Sequence, residues 1–252
     1  MSDSKVAVVT AAAGAGIGSA IARRLASDGF DVVITDAHER RAGELAQELS
    51  DEHGRGFMAA ALDVTDPEMV SAVMDRVASE RGGLHVLVNN AGWSKIEPVA
   101  EMELETWRRC LDVDLNGTFY CMRYALPHMI NSGGGSVVNI SSIAGWEMTT
   151  EHGAAYSAAK AGVMALTRVA AAENGRHGIR VNAVAPGLIY NDFLKKIYPE
   201  EFFTGYVEQR SYVGRVGAPE DVSSLVSFLV GPESGYITGE TYGVSGGVHP
   251  HA

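Results

Sequence analysis

The chain has 252 residues, 46% hydrophobic and 20% charged, with a formal net charge of −11. This composition suits a folded, water-soluble protein and excludes a disordered one; the acidic balance argues against a nucleic-acid backbone or an anionic membrane surface as partner. No apolar run reaches the roughly 18 residues of a membrane span, and the eight histidines show no metal-ligand spacing.

The first predicted strand, Val6–Thr10, is too short for a signal sequence, so a cytoplasmic protein is expected. Thr10-Ala11-Ala12-Ala13-Gly14-Ala15-Gly16-Ile17-Gly18 follows, then an amphipathic helix over Ile17–Ser27. Glycines between a first strand and a first helix let the backbone approach a pyrophosphate, whose charge the helix N-terminus stabilises. Gly14, Gly16, Ile17 and Gly18 are therefore cofactor candidates. The second strand, Asp31–Thr35, leads to Asp36, eighteen residues past Gly18. A carboxylate there accepts hydrogen bonds from the adenosine ribose hydroxyls; the competing reading is an N-cap for a helix starting near His38.

A helix over Arg40–Leu49 and a strand over Gly56–Leu62 precede Asp63-Val64. A helix over Pro67–Arg81 and a strand over His85–Asn89 precede Asn90-Ala91-Gly92. One long helical pattern then covers Leu104–Ile130, with Cys110 and Cys121 on one face, too far apart for a disulfide and suited to a reducing compartment. Strands over Ser136–Ile140 and Ile179–Ala185 flank a helix over Ala155–Asn174, and Pro186-Gly187 closes the last strand. Residues 188–215 carry seven aromatic residues without a clean period and read as a long functional loop, before Pro219 opens another helix. Apolar strands alternating with amphipathic helices predict one α/β domain over 1–252: a Rossmann-like, doubly wound parallel sheet with helices on both faces. The polar groups just past the strand ends sit where such sheets bind ligands.

Tyr156 and Lys160 are four residues apart on one helix, so they share a face one turn apart. A nearby ammonium favours the phenolate and makes tyrosine a usable acid or base near neutral pH. Ser142, shortly upstream, can hold a carbonyl oxygen beside the phenol. Together these groups can give a proton to a developing alkoxide or take one from an alcohol.

Taken jointly, Gly14-Ala15-Gly16-Ile17-Gly18, Asp63-Val64, Asn89-Asn90-Ala91-Gly92, Ser142, Tyr156-Ser157-Ala158-Ala159-Lys160, Asn182-Ala183-Val184-Ala185-Pro186-Gly187 and Ile237-Thr238-Gly239 resemble the short-chain dehydrogenase/reductase superfamily. The resemblance covers about Lys5 to Gly247. It implies a homotetrameric oxidoreductase that interconverts secondary alcohols and ketones with NAD(H) or NADP(H). By this resemblance Tyr156 is the acid/base, Lys160 lowers its pKa and binds the nicotinamide ribose, and Ser142 positions the substrate. Asn90, Ala91, Gly92, Pro186, Gly187 and Ile189 line the cofactor cleft. Four departures stand out. The glycine turn is alanine-rich and one residue longer than usual. Asp114 stands where the family carries an asparagine, so it accepts from the same relay water or perturbs the relay. The interval from Ser142 to Tyr156 is one residue longer than usual, so the intervening loop carries an insertion. Asn191 replaces the usual threonine and still offers a hydrogen bond to a carboxamide.

The expected substrate pocket is aromatic and mostly uncharged: Trp93, Ser94, Trp146, Met148, His152 and Tyr190, with residues of 188–215. Trp93 serves equally well as a packing residue. Such a lining suits an apolar or alicyclic carbonyl compound. Asp36 favours NAD(H) over NADP(H), although Arg40 and Arg41 offer support for a 2′-phosphate. The alternatives are an NADPH-dependent 3-oxoacyl-thioester reductase and a cofactor-binding sensor or assembly protein without turnover.

Overall fold

Alternate residues of the first strand serve opposite faces of a sheet. Ala7 and Val9 pack with Ile21, Leu25, Leu49 and Leu229, whereas Val6 and Val8 pack with Val70, Met74, Cys121 and Met129. Both sets are buried, so the strand reads as an unbroken apolar run. Each such large side chain contributes about 1.5–3 kcal/mol by burial. The computed structural model describes residues 4–147, 152–190, 194 and 199–249.

Seven strands form one sheet: β1 (Val6–Val9), β2 (Asp31–Asp36), β3 (Met58–Ala61), β4 (Val86–Asn89), β5 (Gly135–Ile140), β6 (Ile179–Pro186) and β7 (Thr241–Val244). Their order is β3-β2-β1-β4-β5-β6-β7, and every pairing is parallel. The order reverses between β1 and β4, which opens a crevice at the carboxyl ends of those two strands. Helices α1 (Ile17–Ser27), α2 (Glu39–His53) and α3 (Pro67–Arg81) connect the first four strands. Asp66 caps α3 by accepting from Met69 N at 2.9 Å, and Pro67 opens its first turn.

Three expectations change. The helix expected over Leu104–Ile130 divides into α4 (Leu104–Leu111), a π-helical turn (Asp112–Asn116) and α5 (Gly117–Asn131). A π turn inserts one residue into the helical spacing, so the pattern on either side no longer shares one face. Cys110 accordingly lies beside Asp114, while Cys121 packs under the sheet; both are free thiols. Residues 188–215, read as a loop, contain α7 (Glu200–Arg210). The seventh strand, four residues with a central Gly243, carried too little apolar pattern to be expected. Helices α6 (Ala154–Asn174) and α8 (Pro219–Val230) complete the two layers.

A buried polar chain ties the middle of the sheet to α6. Asn89 Nδ2 donates to Asn139 Oδ1 at 2.8 Å, and Asn139 Nδ2 donates to Thr167 Oγ1 at 2.9 Å. These bonds hold β4, β5 and α6 in a fixed relation just below the crevice.

Candidate active site

After β5 the chain turns through Ser141 and Ser142. Ser142 Oγ accepts from Ala144 N at 3.1 Å and starts a short 3-10 turn, Ile143–Gly145. Tyr156 stands in the first turn of α6 and Lys160 one turn further on. The Ser142 hydroxyl lies close enough to the Tyr156 phenol to act on its pKa. Lys160 Nζ lies 5.4 Å from the Tyr156 ring centroid and donates to the Ile140 carbonyl oxygen at 3.0 Å.

Asp114, carried inward by the π turn, is fully buried. Its Oδ1 is 3.0 Å from Lys160 Nζ, and its Oδ2 accepts from Trp93 N at 2.8 Å. Asn116, two residues on, instead donates to Asp112 Oδ1 at 2.8 Å and takes no part in this cluster. Gly92 leaves the space the carboxylate occupies: a Cβ there would sit 3.0 Å from Asp114 Oδ1 and 3.6 Å from Lys160 Nζ.

Burial raises the Tyr156 pKa above that of a free phenol; Lys160 and the Ser142 hydroxyl act to lower it, and Asp114 acts with burial. For Lys160, burial opposes the charge, yet Tyr156 and Asp114 outweigh it and raise the pKa. Burial likewise pushes Asp114 up, against the pull of Lys160 and the Trp93 amide. The Cys110 thiol is pushed up to about 12, by burial first and by Asp114 next. Lysine therefore acts on the phenol in the expected direction, but burial and Asp114 hold the net shift upward.

A cleft of about 610 Å³ opens in front of this cluster. Asn90, Gly92, Trp93, Ser94 and His152 line it beside Ser142, Tyr156 and Lys160. Ile17, Pro186, Gly187 and Ile189 line its other side.

A family model described as enoyl-(acyl carrier protein) reductase matches residues 11–249. The chain is 45% identical to a hydroxy-methyl-oxo-hexahydroindene-carboxyl-CoA reductase of Mycobacterium tuberculosis, over 96% of this chain and 92% of that protein. It is 42% identical to a cis-4-hydroxycyclohexanecarboxylate dehydrogenase of Sinomonas cyclohexanicum, over 96% of both chains. A short-chain type dehydrogenase/reductase from Mycobacterium ulcerans superimposes with a TM-score of 0.91 at 32% identity, covering 97% of this chain and 89% of that one. The chain belongs to the short-chain dehydrogenase/reductase family.

Dehydrogenases of this family use nicotinamide cofactors, and the glycine turn of this short-chain dehydrogenase/reductase fits one. Gly14 has φ 108, and nothing lies within 4 Å of where a Cβ on Gly14 or Gly16 would be. Open space therefore stands over the α1 N-terminus, where an anionic pyrophosphate is stabilised. Beneath it, a Cβ on Gly18 would fall 2.4 Å from the Ala11 carbonyl oxygen, so only glycine lets the loop cross the helix there. The alanine-rich turn is anchored by Asn90 Nδ2, which donates to the Thr10 and Ala11 carbonyl oxygens at 3.0 Å each. Asp36 binds it from the other side, Oδ2 accepting from Ala13 N at 3.2 Å, while Oδ1 accepts from His38 N at 2.9 Å. Asp36 is thus not the cap of α2, whose N-cap is His38. Asp63 is exposed and accepts from Thr65 N at 2.9 Å; the Val64 side chain is buried in the core, and Ala91 is partly buried against it.

The substrate side differs more from expectation. Trp146 stacks on His249, with ring centroids 5.8 Å apart, and is not among the cleft residues. Tyr190 also turns away: Leu188 and Ile189 line the cleft, whereas Tyr190 packs against Phe203, at 5.0 Å between rings. Met148 and Asn191 lie outside the described residues. In their place α7 supplies Phe202, Tyr206 and Arg210, and Ile96, Leu188 and Leu194 add apolar surface. The signal for α7 was present as residues 202, 206 and 210, an i, i+4, i+8 row on one helical face. Arg210 pairs with Glu147, with His152 4.0 Å from the same carboxylate.

Among the described residues, no helix is long and apolar enough to cross a membrane, and no group of three His, Cys, Asp or Glu residues could hold a metal ion.

Proposed function

We propose that this oxidoreductase interconverts an alicyclic secondary alcohol and its ketone, with Tyr156 as proton donor and acceptor. The observation that carries this is the convergence of Ser142, Tyr156 and Lys160 on a cleft whose outer walls, Arg210 apart, are mostly apolar and aromatic. The ring-bearing substrates in the names of the two relatives support the alicyclic reading.

When bound, a nicotinamide cofactor would supply hydride for the ketone carbon or accept it from the carbinol carbon. The protein's part is the proton. Ser142 donates a hydrogen bond to the ketone oxygen and keeps it against the Tyr156 hydroxyl. Tyr156 gives its proton to the oxygen as negative charge develops there, and Lys160 stabilises the phenolate left behind. Oxidation of the alcohol runs the same steps in reverse. Gly14, Gly16, Ile17 and Gly18 hold the pyrophosphate, and Asn90, Gly92, Pro186, Gly187 and Ile189 line the nicotinamide end. Asp36 accepts from the adenosine ribose and makes NAD(H) the preferred cofactor. Arg40 is paired with Glu44 at 2.7 Å, which leaves it less able to attract a 2′-phosphate.

The protein acts as a cytoplasmic homotetramer. Buried free thiols support a reducing compartment, and exposed Trp107, Phe119 and Val169 on α4, α5 and α6 support subunit contacts.

The test follows reduced-nicotinamide absorbance with cyclohexanol, cis-4-hydroxycyclohexanecarboxylate and a 3-oxoacyl thioester, each with both cofactors. Turnover of the cyclic alcohols with NAD+ is expected. Exclusive turnover of the thioester with NADPH would replace this reading with that of a thioester reductase, and no turnover of any compound would favour a binding protein.

A further inference from the structure

We propose that Asp114 is an ionised positioning residue that holds the Lys160 ammonium and offsets part of the positive charge that Tyr156 feels. The proposal rests on the reading of Tyr156 as the proton donor and acceptor.

The two groups nearest the buried carboxylate are donors, and the Cys110 thiol beside them donates to the Trp93 carbonyl oxygen at 3.2 Å. Oδ1 faces the Lys160 ammonium at 3.0 Å. Oδ2 receives the Trp93 amide at 2.8 Å, and the Cys110 thiol lies 3.9 Å from it. The thiol, pushed up to about 12, keeps its proton at neutral pH. A carboxylic acid would need an acceptor for its own proton; the ammonium and the amide provide none, and the thiol sulfur, 3.9 Å away, is only a weak and distant one. Geometry therefore favours the charged form, although burial works against it. Removing the negative charge would also strand a buried ammonium beside a neutral group.

The other charged or titratable groups facing this cluster are few. Tyr156 and Lys160 come from α6, and Cys110 comes from α4. Arg109, also on α4, stacks on the Trp93 ring at 4.6 Å, and the His152 ring lies 6.3 Å from that of Tyr156. Asp114 is thus the anion closest to the ammonium. An ammonium alone would favour the phenolate strongly; a paired ammonium favours it less. Tyr156 consequently keeps its proton to higher pH than Lys160 alone would allow. It remains a donor for ketone reduction over a wider range, and becomes a base for alcohol oxidation only at higher pH.

Asp114→Asn keeps the shape and removes the charge. The midpoint of the rise in kcat/KM with pH, measured for cyclohexanol oxidation with NAD+, should move to lower pH by about one unit. The same shift should be read without turnover by nuclear magnetic resonance of tyrosine labelled at Cζ, with the Tyr156 signal assigned by its loss in Tyr156→Phe. That second reading separates failure of the proposal from a poor choice of alcohol. Asp114→Ser, which leaves room for a water on Lys160, serves if the amide variant does not fold. An unchanged or alkaline-shifted Tyr156 midpoint would overturn the proposal. So would an infrared band of a protonated carboxylic acid in the wild-type protein at neutral pH.

Discussion

The proton-handling centre and the outer rim of the cleft are built in opposite ways. At the centre, Asp114 is 0% exposed, Lys160 3% and Ser142 7%, and each is tied to a strand end or a long helix. At the rim, Phe202, Tyr206 and Arg210 come from α7, an eleven-residue helix with only Phe203 buried. The contrast teaches a division of labour. Groups whose charge must be controlled need low dielectric and rigid supports. Groups that only need to fit a substrate can sit on a lightly anchored segment that tolerates change.

Four substitutions test that division, from the largest effect to the smallest. Tyr156→Phe removes the proton at the centre and keeps the ring. The fall in kcat should be roughly 10²–10⁴-fold, with reduced-cofactor affinity by fluorescence titration nearly unchanged. A variant keeping more than about a tenth of wild-type kcat would remove Tyr156 from the mechanism.

Lys160→Ala leaves Asp114 buried without its cation. Breaking a buried pair from one side costs about 3–5 kcal/mol, so the denaturant midpoint should drop together with kcat. The double variant Lys160→Ala with Asp114→Asn should regain part of that stability but not the activity. Equal midpoints for the single and double variants would mean that the pair is not electrostatically coupled.

Asp36→Ala changes the carboxylate at the end of β2 that holds the glycine turn. Wild type should prefer NAD(H) by about 10–100-fold in kcat/KM, the equivalent of roughly 1.5–3 kcal/mol. The variant should narrow this gap by improving use of NADP(H). It should also loosen the glycine turn, because Ala13 N loses its acceptor. Equal use of both cofactors by the wild type would show that Arg40 or Arg41 outweighs the carboxylate.

Arg210→Ala alters only the rim. Its pair with Glu147 is largely buried, so its loss should lower the denaturant midpoint, while KM should change by less than about tenfold. The turnover number should hold, and Tyr156 should titrate as in the wild type. A large loss of kcat here would break the comparison, by showing that closure of the rim assembles the centre.

What the sequence determined by itself is what depends on local pattern and spacing. Strands buried on both faces must be apolar throughout, and helices between them must carry a stripe, so the doubly wound sheet was legible from residue type alone. The glycine turn, and Tyr156 with Lys160 one helical turn apart, were legible because short-range geometry decides them. Contacts between segments far apart in the chain were decided only by the tertiary structure. A π turn, absent from any hydrophobic period, carried Asp114 inward to within 3.0 Å of Lys160, forty-six residues later. The segment after Pro186 gave the cleft Leu188 and Ile189 while Tyr190 packed on Phe203, and Trp146 found His249 at the far end of the chain. Spacing along the chain carries no record of such encounters. They follow from which faces the packed sheet leaves open, and so from the whole fold at once.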